Sequence, residues 1–427
     1  MQVRVLLFFA VLALSLGALN YYVFRRTLWV FRIQRPWRWL LAGTLWLGFA
    51  AAFGGRAWAE RGGGALAIGL SITGFGVQLA VLITVALALP LEAMRLLRWC
   101  FGRIAALWLR RTASAAGGAE ATVSAAGGAS SEEASPATTS CPMPASTGRR
   151  EFVARTAGVA VLAVGAGAAG YGVLWGRRDY QLPEVVCPIA GLSPKLDGYR
   201  LVQLSDIHFG VFVGEAQIRS AVELVGRARP DAIVLTGDLV DHNPAFTPEL
   251  GRLIRRLAPL SRDGVFAVPG NHDYYAGVDR VLATIRAAGG TPLRNAHVLL
   301  GQGRHRLNLV GVDDLWAPRL QPGAGPDLQR ALAGAPVDIP RVLLCHNPAF
   351  FPEAAPEVAL QLSGHTHGGQ VNMGIRPADW VLPYGYVAGE YTRGPSRLYV
   401  NRGFGTAGPP ARVGAPPEVT TLVLQAA

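Results

Sequence analysis

Cysteine is scarce in this chain, and the few it has are scattered. Cys100, Cys141, Cys187 and Cys345 are the only four, and no two form a Cys-x-x-Cys pair. That excludes a disulfide framework and a zinc ribbon, and leaves open only a single Cys187–Cys345 bridge. Charge is thin as well: Asp, Glu, Lys and Arg make up 16% of the residues, against 51% hydrophobic. Carboxylates are especially rare in the first 179 residues, where seven face eighteen arginines and leave a net +11. Residues 180–427 are nearly balanced, with 22 basic and 21 acidic side chains. The overall net charge of +12 therefore belongs to the N-terminal part. The C-terminal half has no basic stripe with interleaved aromatics, so no nucleic-acid-binding patch is expected there.

What the first part has instead is long uncharged runs. Residues 5–24 carry no charge and are long enough to cross a bilayer. They are too long for a signal peptide, and no small-residue cleavage site precedes Arg25. Transmembrane helices are expected at 5–24, 40–55 and 65–91, together a membrane region over 1–111. Arg25, Arg26, Arg32, Arg35 and Arg38, mixed with Trp29, Trp37 and Trp39, have the composition of a cytoplasmic loop with interfacial aromatics. Arg95, Arg98, Arg103, Arg110 and Arg111 repeat that composition after the third span. Residues 112–148 are rich in Ala, Ser, Gly, Thr and Pro and read as a flexible linker. Arg149 and Arg150, one spacer residue and Phe152 then precede a fourth uncharged span at 156–175. The stretch 149–178 resembles a twin-arginine export signal set inside the chain, and reads equally as an ordinary positively flanked membrane helix. Under either reading the arginine-dense loops lie inside, and residues 180–427 face the periplasm or the outer surface.

From residue 180 onward the composition is that of an α/β domain, and its 248 residues suffice for a proper core. Strands are expected at 201–204, 232–236, 264–268, 307–312, 341–345, 358–362, 398–400 and 419–424. Helices are expected at 217–228, where Ile218, Ala221, Val222 and Val225 recur at helical spacing, and at 248–257. The alternation argues for sheet layers covered by helices.

Several of these strands end in residues that hold metals. Asp206 and His208, two apart past the first strand, point the same way and converge where open α/β sheets bind ligands. The later ends carry Gly237-Asp238, Gly270-Asn271-His272-Asp273, His346, and Gly364-His365-Thr366-His367. Five of the eight histidines in the chain sit at these ends, whereas His242, His297 and His305 do not. In this order the motifs resemble the calcineurin-like metallophosphoesterase superfamily over about residues 195–427. The Gly364-His365-Thr366-His367-Gly368-Gly369-Gln370 string, Gly311-Val312-Asp313-Asp314 and Arg402-Gly403-Phe404-Gly405-Thr406 look like its bacterial, membrane-anchored YkuE/YaeI-like branch.

The resemblance implies N-terminal transmembrane α-helices followed by an α/β metallophosphoesterase domain, a four-layer αββα sandwich. It implies two divalent metal ions, Mn, Fe or Zn, since no thiolate is present to bias the choice. One metal would be held by Asp206, His208, Asp238 and His367, and the other by Asp238, Asn271, His346 and His365, with Asp238 shared. Two such cations neutralise a phosphoryl group and acidify a water nucleophile. His272 would stabilise the transition state or protonate the leaving group, and Asp273 would orient it. Asp313 and Asp314 either line the pocket or cap a loop; Arg402 either meets a phosphate or forms a surface salt bridge.

The function expected is hydrolysis of a phosphomonoester, phosphodiester or pyrophosphate bond in a phosphate-containing small molecule or lipid at the cell membrane. The twin-arginine export machinery would be a further partner if the Arg149-Arg150 stretch is used. Three alternatives stay open. One is hydrolysis of the UDP-2,3-diacylglucosamine pyrophosphate, which needs a cytoplasmic site; another is a non-catalytic metal-binding envelope or sensor protein. The third, a phosphoprotein phosphatase, finds no matching substrate-groove segments.

Overall fold

The computed structural model describes residues 2–117 and 147–427; most of the expected linker, with Cys141, lies outside the described residues. Four long helices come first: α1 (Gln2–Phe31), α2 (Trp37–Glu60), α3 (Gly64–Gly117) and α4 (Thr147–Leu174). Among the described residues three helices are long and apolar enough to cross a membrane, within Trp37–Glu60, Gly64–Trp108 and Gly148–Arg178. The first expected span, 5–24, falls in α1, and the side chains of most of its opening residues lie outside the described ones. α3 runs on through Pro90 and past the arginines at 95–111, which therefore sit on a helix and not in a loop. Arg149 and Arg150 occupy the first turn of α4.

The chain divides into two compact units, Met1–Trp46 with Ala80–Gly167 and Leu47–Leu79 with Ala168–Ala427. In the first, arginines meet the few carboxylates available. Arg26 Nη2 lies 2.6 Å from Glu92 Oε1 and Arg32 Nη2 3.2 Å from Glu151 Oε1. The Arg155 guanidinium lies 5.6 Å from the Trp29 ring centre. In the second, the end of α2 packs on the start of α3 through small residues, and Ser71 donates to the Ala52 carbonyl at 2.8 Å. Gly74 permits that approach, since a Cβ there would overlap the Ala52 backbone.

The second unit also holds the α/β domain. Among the described residues its strands are β1 (Glu184–Ile189), β2 (Tyr199–Leu204), β3 (Ala232–Thr236), β4 (Val265–Val268), β5 (Thr291–Pro292), β6 (Ala296–Gln302), β7 (His305–Gly311), β8 (Arg341–Leu344), β9 (Leu360–Ser363), β10 (Gly389–Arg393), β11 (Ser396–Val400) and β12 (Thr420–Ala426). They form two six-stranded sheets, ordered β1-β12-β2-β3-β4-β5 and β10-β11-β9-β8-β7-β6. β2, β3, β4 and β5 are parallel, as are β7, β8, β9 and β11, with Leu201 opposite Ala232 and Leu344 opposite Leu362. The helices are α5 (Glu215–Ala228), α6 (Thr247–Leu257), α7 (Asn271–Tyr275) and α8 (Val278–Ala287), with shorter turns after β7 and β8.

Period-two alternation separates the layers. Leu201, Val234, Val268 and Leu422 of one sheet pack against Leu309, Leu344, Leu360 and Leu362 of the other. The alternate residues Val202, Leu204, Ile233 and Leu235 face Ile218, Val225, Leu250, Ile254, Val281 and Ile285 on α5, α6 and α8. Beyond the second sheet, Val310, Leu343 and Cys345 pack against Leu328, Phe350 and Ala354. The result is the αββα sandwich. The expected strands appear within two or three residues of their places. β1, β5, β6 and β10 are additions, as are α7 and α8. Cys187 and Cys345 are buried and free, so the bridge between them is not formed.

Leu362 is fully buried between the sheets, one residue before the turn that carries His365. Leu362→Ala is expected to cost about 2–5 kcal/mol of unfolding free energy. Denaturant midpoints of the full chain measure it, and a loss below about 0.5 kcal/mol would mean that the intersheet layer is not the core.

A candidate metal centre at the strand ends

β2, β3 and β4 run parallel in one sheet and β8 and β9 in the other, so the turns after them bring Asp206, His208, Asp238, His272, His346, His365 and His367 into three contiguous groups. Asp206, His208 and His367 form one, Asp238, His346 and His365 a second, and His208, Asp238 and His272 connect them. The backbone ladder of β2 and β3 continues into the site: Asp206 N–H donates to Gly237 O and His208 N–H to Asp238 O, both at 3.0 Å. The sheets are joined by Gln203, whose Nε2 donates to Thr236 Oγ1 at 2.9 Å and Ser363 O at 3.0 Å. His365 N–H closes the centre by donating to Asp206 Oδ1 at 2.9 Å.

Distances within the groups are those of ligands facing one point. His208 Nε2 and His367 Nε2 are 3.0 Å apart, and His367 Nε2 is 3.4 Å from Asp206 Oδ1. His346 Nε2 is 3.2 Å from Asp238 Oδ2 and 3.2 Å from His365 Nδ1. The other face of three of these ligands is fixed by the protein. His346 Nδ1 donates to Thr236 O at 2.8 Å, Asp238 Oδ1 accepts from His272 N–H at 2.8 Å, and Arg412 Nη2 lies 3.1 Å from His367 Nδ1. Such outer contacts set the tautomer and aim the ligand nitrogen.

The backbone is strained here in a way that positions these side chains. Asp206, His208, Asp238, His365 and His367 all have φ between 51° and 73°, the left-handed region that costs a non-glycine residue about 1–3 kcal/mol. Gly237, at φ +86°, shows why glycine precedes a ligand: a Cβ there would lie 2.6 Å from His346 Nδ1.

The electrostatics call for positive charge. Asp206 and Asp238 are buried within one cluster. Burial raises Asp206, and although burial alone would raise Asp238 too, the adjacent His346 holds it well below the ordinary carboxylate range. Burial and the neighbouring His346 push His365 down to about 3, and burial with the Arg412 cation holds His367 well below its ordinary value, so both are neutral. Neutral imidazoles bind metals, so His365 and His367 are already in the ligating form, whereas His346, which burial alone would lower, is raised by the Asp238 charge. Asn271 Oδ1 is buried with no hydrogen-bond partner, an acceptor that a cation would satisfy. The residues fit a divalent metal centre.

His272 is positioned differently from expectation. Its Nδ1 lies 2.9 Å from Asp241 O and 3.1 Å from Asp241 Oδ1, which leaves Nε2 as the nitrogen available to a reacting oxygen. Burial alone would lower it, but the Asp241 hydrogen bond and the Asp238 charge push His272 up to about 9. Asp273, expected to orient it, does not touch the imidazole. Its carboxylate accepts from the backbone N–H groups of Leu239 (3.0 Å), Val240 (3.0 Å) and Gly270 (2.9 Å). The reason is helical: α7 starts at Asn271, so successive side chains diverge and Asp273 folds back as an N-terminal cap. Asp241 follows Asp238 by three residues and Arg412 lies far along the chain; only Asp241 left a sequence signal, a carboxylate beside a motif.

The remaining candidates sort by partner. Asp313 accepts from the Tyr274 hydroxyl at 2.5 Å and from Arg294 Nε at 2.9 Å, a buried structural network. Asp314 caps the following turn through Trp316 N–H at 2.8 Å, and its buried Oδ2 has no partner. Arg402 Nε pairs with buried Glu418 Oε2 at 2.6 Å, so the salt bridge takes it.

Comparison with known proteins agrees with this geometry. A family model for calcineurin-like phosphoesterases matches residues 199–369. The metallophosphoesterase YkuE of Bacillus subtilis is 32% identical over 295 residues, covering 65% of this chain and 97% of that protein. The chain belongs to the calcineurin-like phosphoesterase family. Phosphodiesterase YaeI of Escherichia coli is 32% identical over 233 residues, covering 53% of this phosphoesterase-family chain and 82% of its relative. A zebrafish transmembrane protein with a metallophosphoesterase domain is 33% identical over 280 residues, and the match spans 63% of each chain.

The two carboxylates flanking His272 should separate in experiment. Asp273→Ala leaves three buried N–H groups without an acceptor and is expected to lower stability by about 1–3 kcal/mol for each. Asp241→Asn should keep stability within about 1 kcal/mol of the parent while slowing turnover of a phosphodiester. Unfolding midpoints and rates measured side by side check this, and the opposite pattern would return the orienting role to Asp273.

Proposed function

We propose that this chain is a membrane-anchored, two-metal phosphoesterase that hydrolyses a phosphomonoester, phosphodiester or pyrophosphate bond of a lipid-linked or cell-envelope compound. The observation that carries the reading is the pair of ligand clusters, Asp206–His208–His367 and Asp238–His346–His365, linked by a third group of His208, Asp238 and His272, with His272 Nδ1 already committed to Asp241. Asp206, His208, Asp238 and His367 would hold one cation, and Asp238, Asn271, His346 and His365 the other. Bound there, two cations supply charge neutralisation for the phosphoryl group and an acidified water. The chain supplies the rest. His272, with Nδ1 held by Asp241 and Nε2 free to face the substrate, would deliver a proton to the leaving oxygen. Asp241 holds that imidazole in one orientation.

Two features support an amphiphilic substrate. A cavity of about 430 Å³ adjoins His365, with Leu315, Trp316, Leu382, Pro383, Tyr386 and Arg319 in its wall. It offers apolar surface and one cation next to the metal cluster, as a lipid phosphate would need. The helices supply the anchor, which we read as four spans, α1 included. The arginine-dense stretches 25–38 and 95–155 flank the apolar runs on one side in the sequence. By the positive-inside rule this supports an outward-facing site, and so an envelope substrate over a cytoplasmic nucleotide-linked lipid.

The test is hydrolysis of bis- and mono-p-nitrophenyl phosphate by the full chain in detergent, after chelation and after adding back Mn²⁺ or Zn²⁺. Metal-dependent turnover is expected, and silence with metal bound would favour a binding or sensing role. Asp238→Ala is expected to lose both metals and all activity. His272→Ala should keep about two metals per chain and lose about 10²–10⁴ in rate. Loss of metal from His272→Ala would make His272 a ligand.

A further inference from the structure

The last turn of α2 reaches the catalytic machinery within one compact unit. Arg56 Nη2 lies 2.5 Å from Asp241 Oδ2 and 3.2 Å from His242 Nδ1, and Arg56 Nε lies 3.0 Å from Glu60 Oε1. The Arg56 and Asp241 side chains are 19% and 14% exposed, so the pair is largely shielded from water. An aromatic series holds the helices there. Phe53 meets Phe75 at 5.6 Å, Phe75 meets Phe212 edge-on at 6.0 Å, and the Arg56 guanidinium lies 5.7 Å from the Phe212 ring centre. Phe212 and Asp241 both follow strand-end ligands, His208 and Asp238, so the α2–α3 turn rests on the loops that carry the site.

The two oxygens of Asp241 are divided between these partners. Oδ2 faces Arg56, and Oδ1 lies 3.1 Å from His272 Nδ1. A carboxylate with one oxygen held by a fixed guanidinium cannot rotate away from its second partner without breaking a charge-assisted bond. We infer that Arg56, a residue of an apolar helix outside the phosphoesterase domain, is a positioning residue for the reaction: it fixes Asp241, and Asp241 fixes His272. The inference rests on the role given to His272 above. It makes the catalytic domain incomplete without the α2–α3 hairpin. A plain tether between helix and domain is the competing explanation, and it predicts no dependence on His272.

The experiment is a double-mutant cycle on the full chain in detergent with Mn²⁺, using bis-p-nitrophenyl phosphate and metal content as readouts. Arg56→Ala is expected to lower kcat about 10–100-fold, with KM within about twofold and two metals retained. Combined with His272→Ala it should add nothing, because Arg56 acts through His272. Arg56→Lys keeps the charge without the planar fork and should fall between. Arg61→Ala, whose guanidinium donates to the Ala57 carbonyl one turn back, should match the parent. Full activity in Arg56→Ala, or a loss that multiplies in full with that of His272→Ala, overturns the inference. If Arg56→Ala does not fold, Arg56→Lys and its double with His272→Ala are read by the same rule. A parent chain silent in every metal overturns the phosphoesterase reading instead.

Discussion

Asp238 is the group on which the centre depends. A buried carboxylate is tolerated only when positive charge or several donors surround it, and its isolated burial costs several kcal/mol. Here it faces His346 and His208 with one oxygen and accepts the His272 backbone N–H with the other. Those partners come from both sheets, so the charge can be satisfied only where the carboxyl ends of both parallel runs meet. That requirement fixes which edge of the sandwich carries the site. It also explains the left-handed backbone at Asp206, His208, Asp238, His365 and His367, since a regular strand cannot turn its last side chains inward so sharply. The strain is sustained by the intersheet layer of Leu309, Leu344, Leu362 and their neighbours, which leaves the turns little freedom.

Much of this was legible in the sequence because each ligand follows an apolar run. A strand buried on both faces reads as a continuous hydrophobic segment, and a histidine or carboxylate at its end interrupts that run visibly. β2, β3, β4, β8 and β9 were therefore placed together with their ligands. β6 and β10 carry partly exposed residues and no clear run, so they left little signal. Asp273 was misread for a local reason: adjacency to His272 suggests contact, yet on the first turn of a helix neighbouring side chains diverge. Arg412 and Arg56 leave no signal as partners of the site, because their roles depend on pairings 45 and 185 residues away in sequence, and Asp241, 31 residues from His272, signals only as a carboxylate beside a motif. Hydrophobic periodicity records which face of an element is buried and carries nothing about which distant polar atom will complete a buried hydrogen bond.

The supports of the centre are unevenly distributed. His367 is backed by Arg412, which is fully buried; its backbone N–H donates to Gly172 O on α4 at 3.1 Å, and its Nη1 donates to His367 O at 2.9 Å. Gly172 and Gly176 admit that contact, because a Cβ at either would press on the Arg412 backbone. His272 is backed by Asp241 and, beyond it, by α2. Both routes from the long helices thus end on the side of Asp206, His208 and His367. His346 and His365 are held from within the domain, by Thr236 and the β8–β9 turns, and the apolar cavity opens beside them. The side backed by the long helices carries the His272 imidazole, and the other side carries the apolar cavity. Helices α2 and α4 thus contribute directly to the support of the site, through Arg56 on Asp241 and through Gly172 on Arg412.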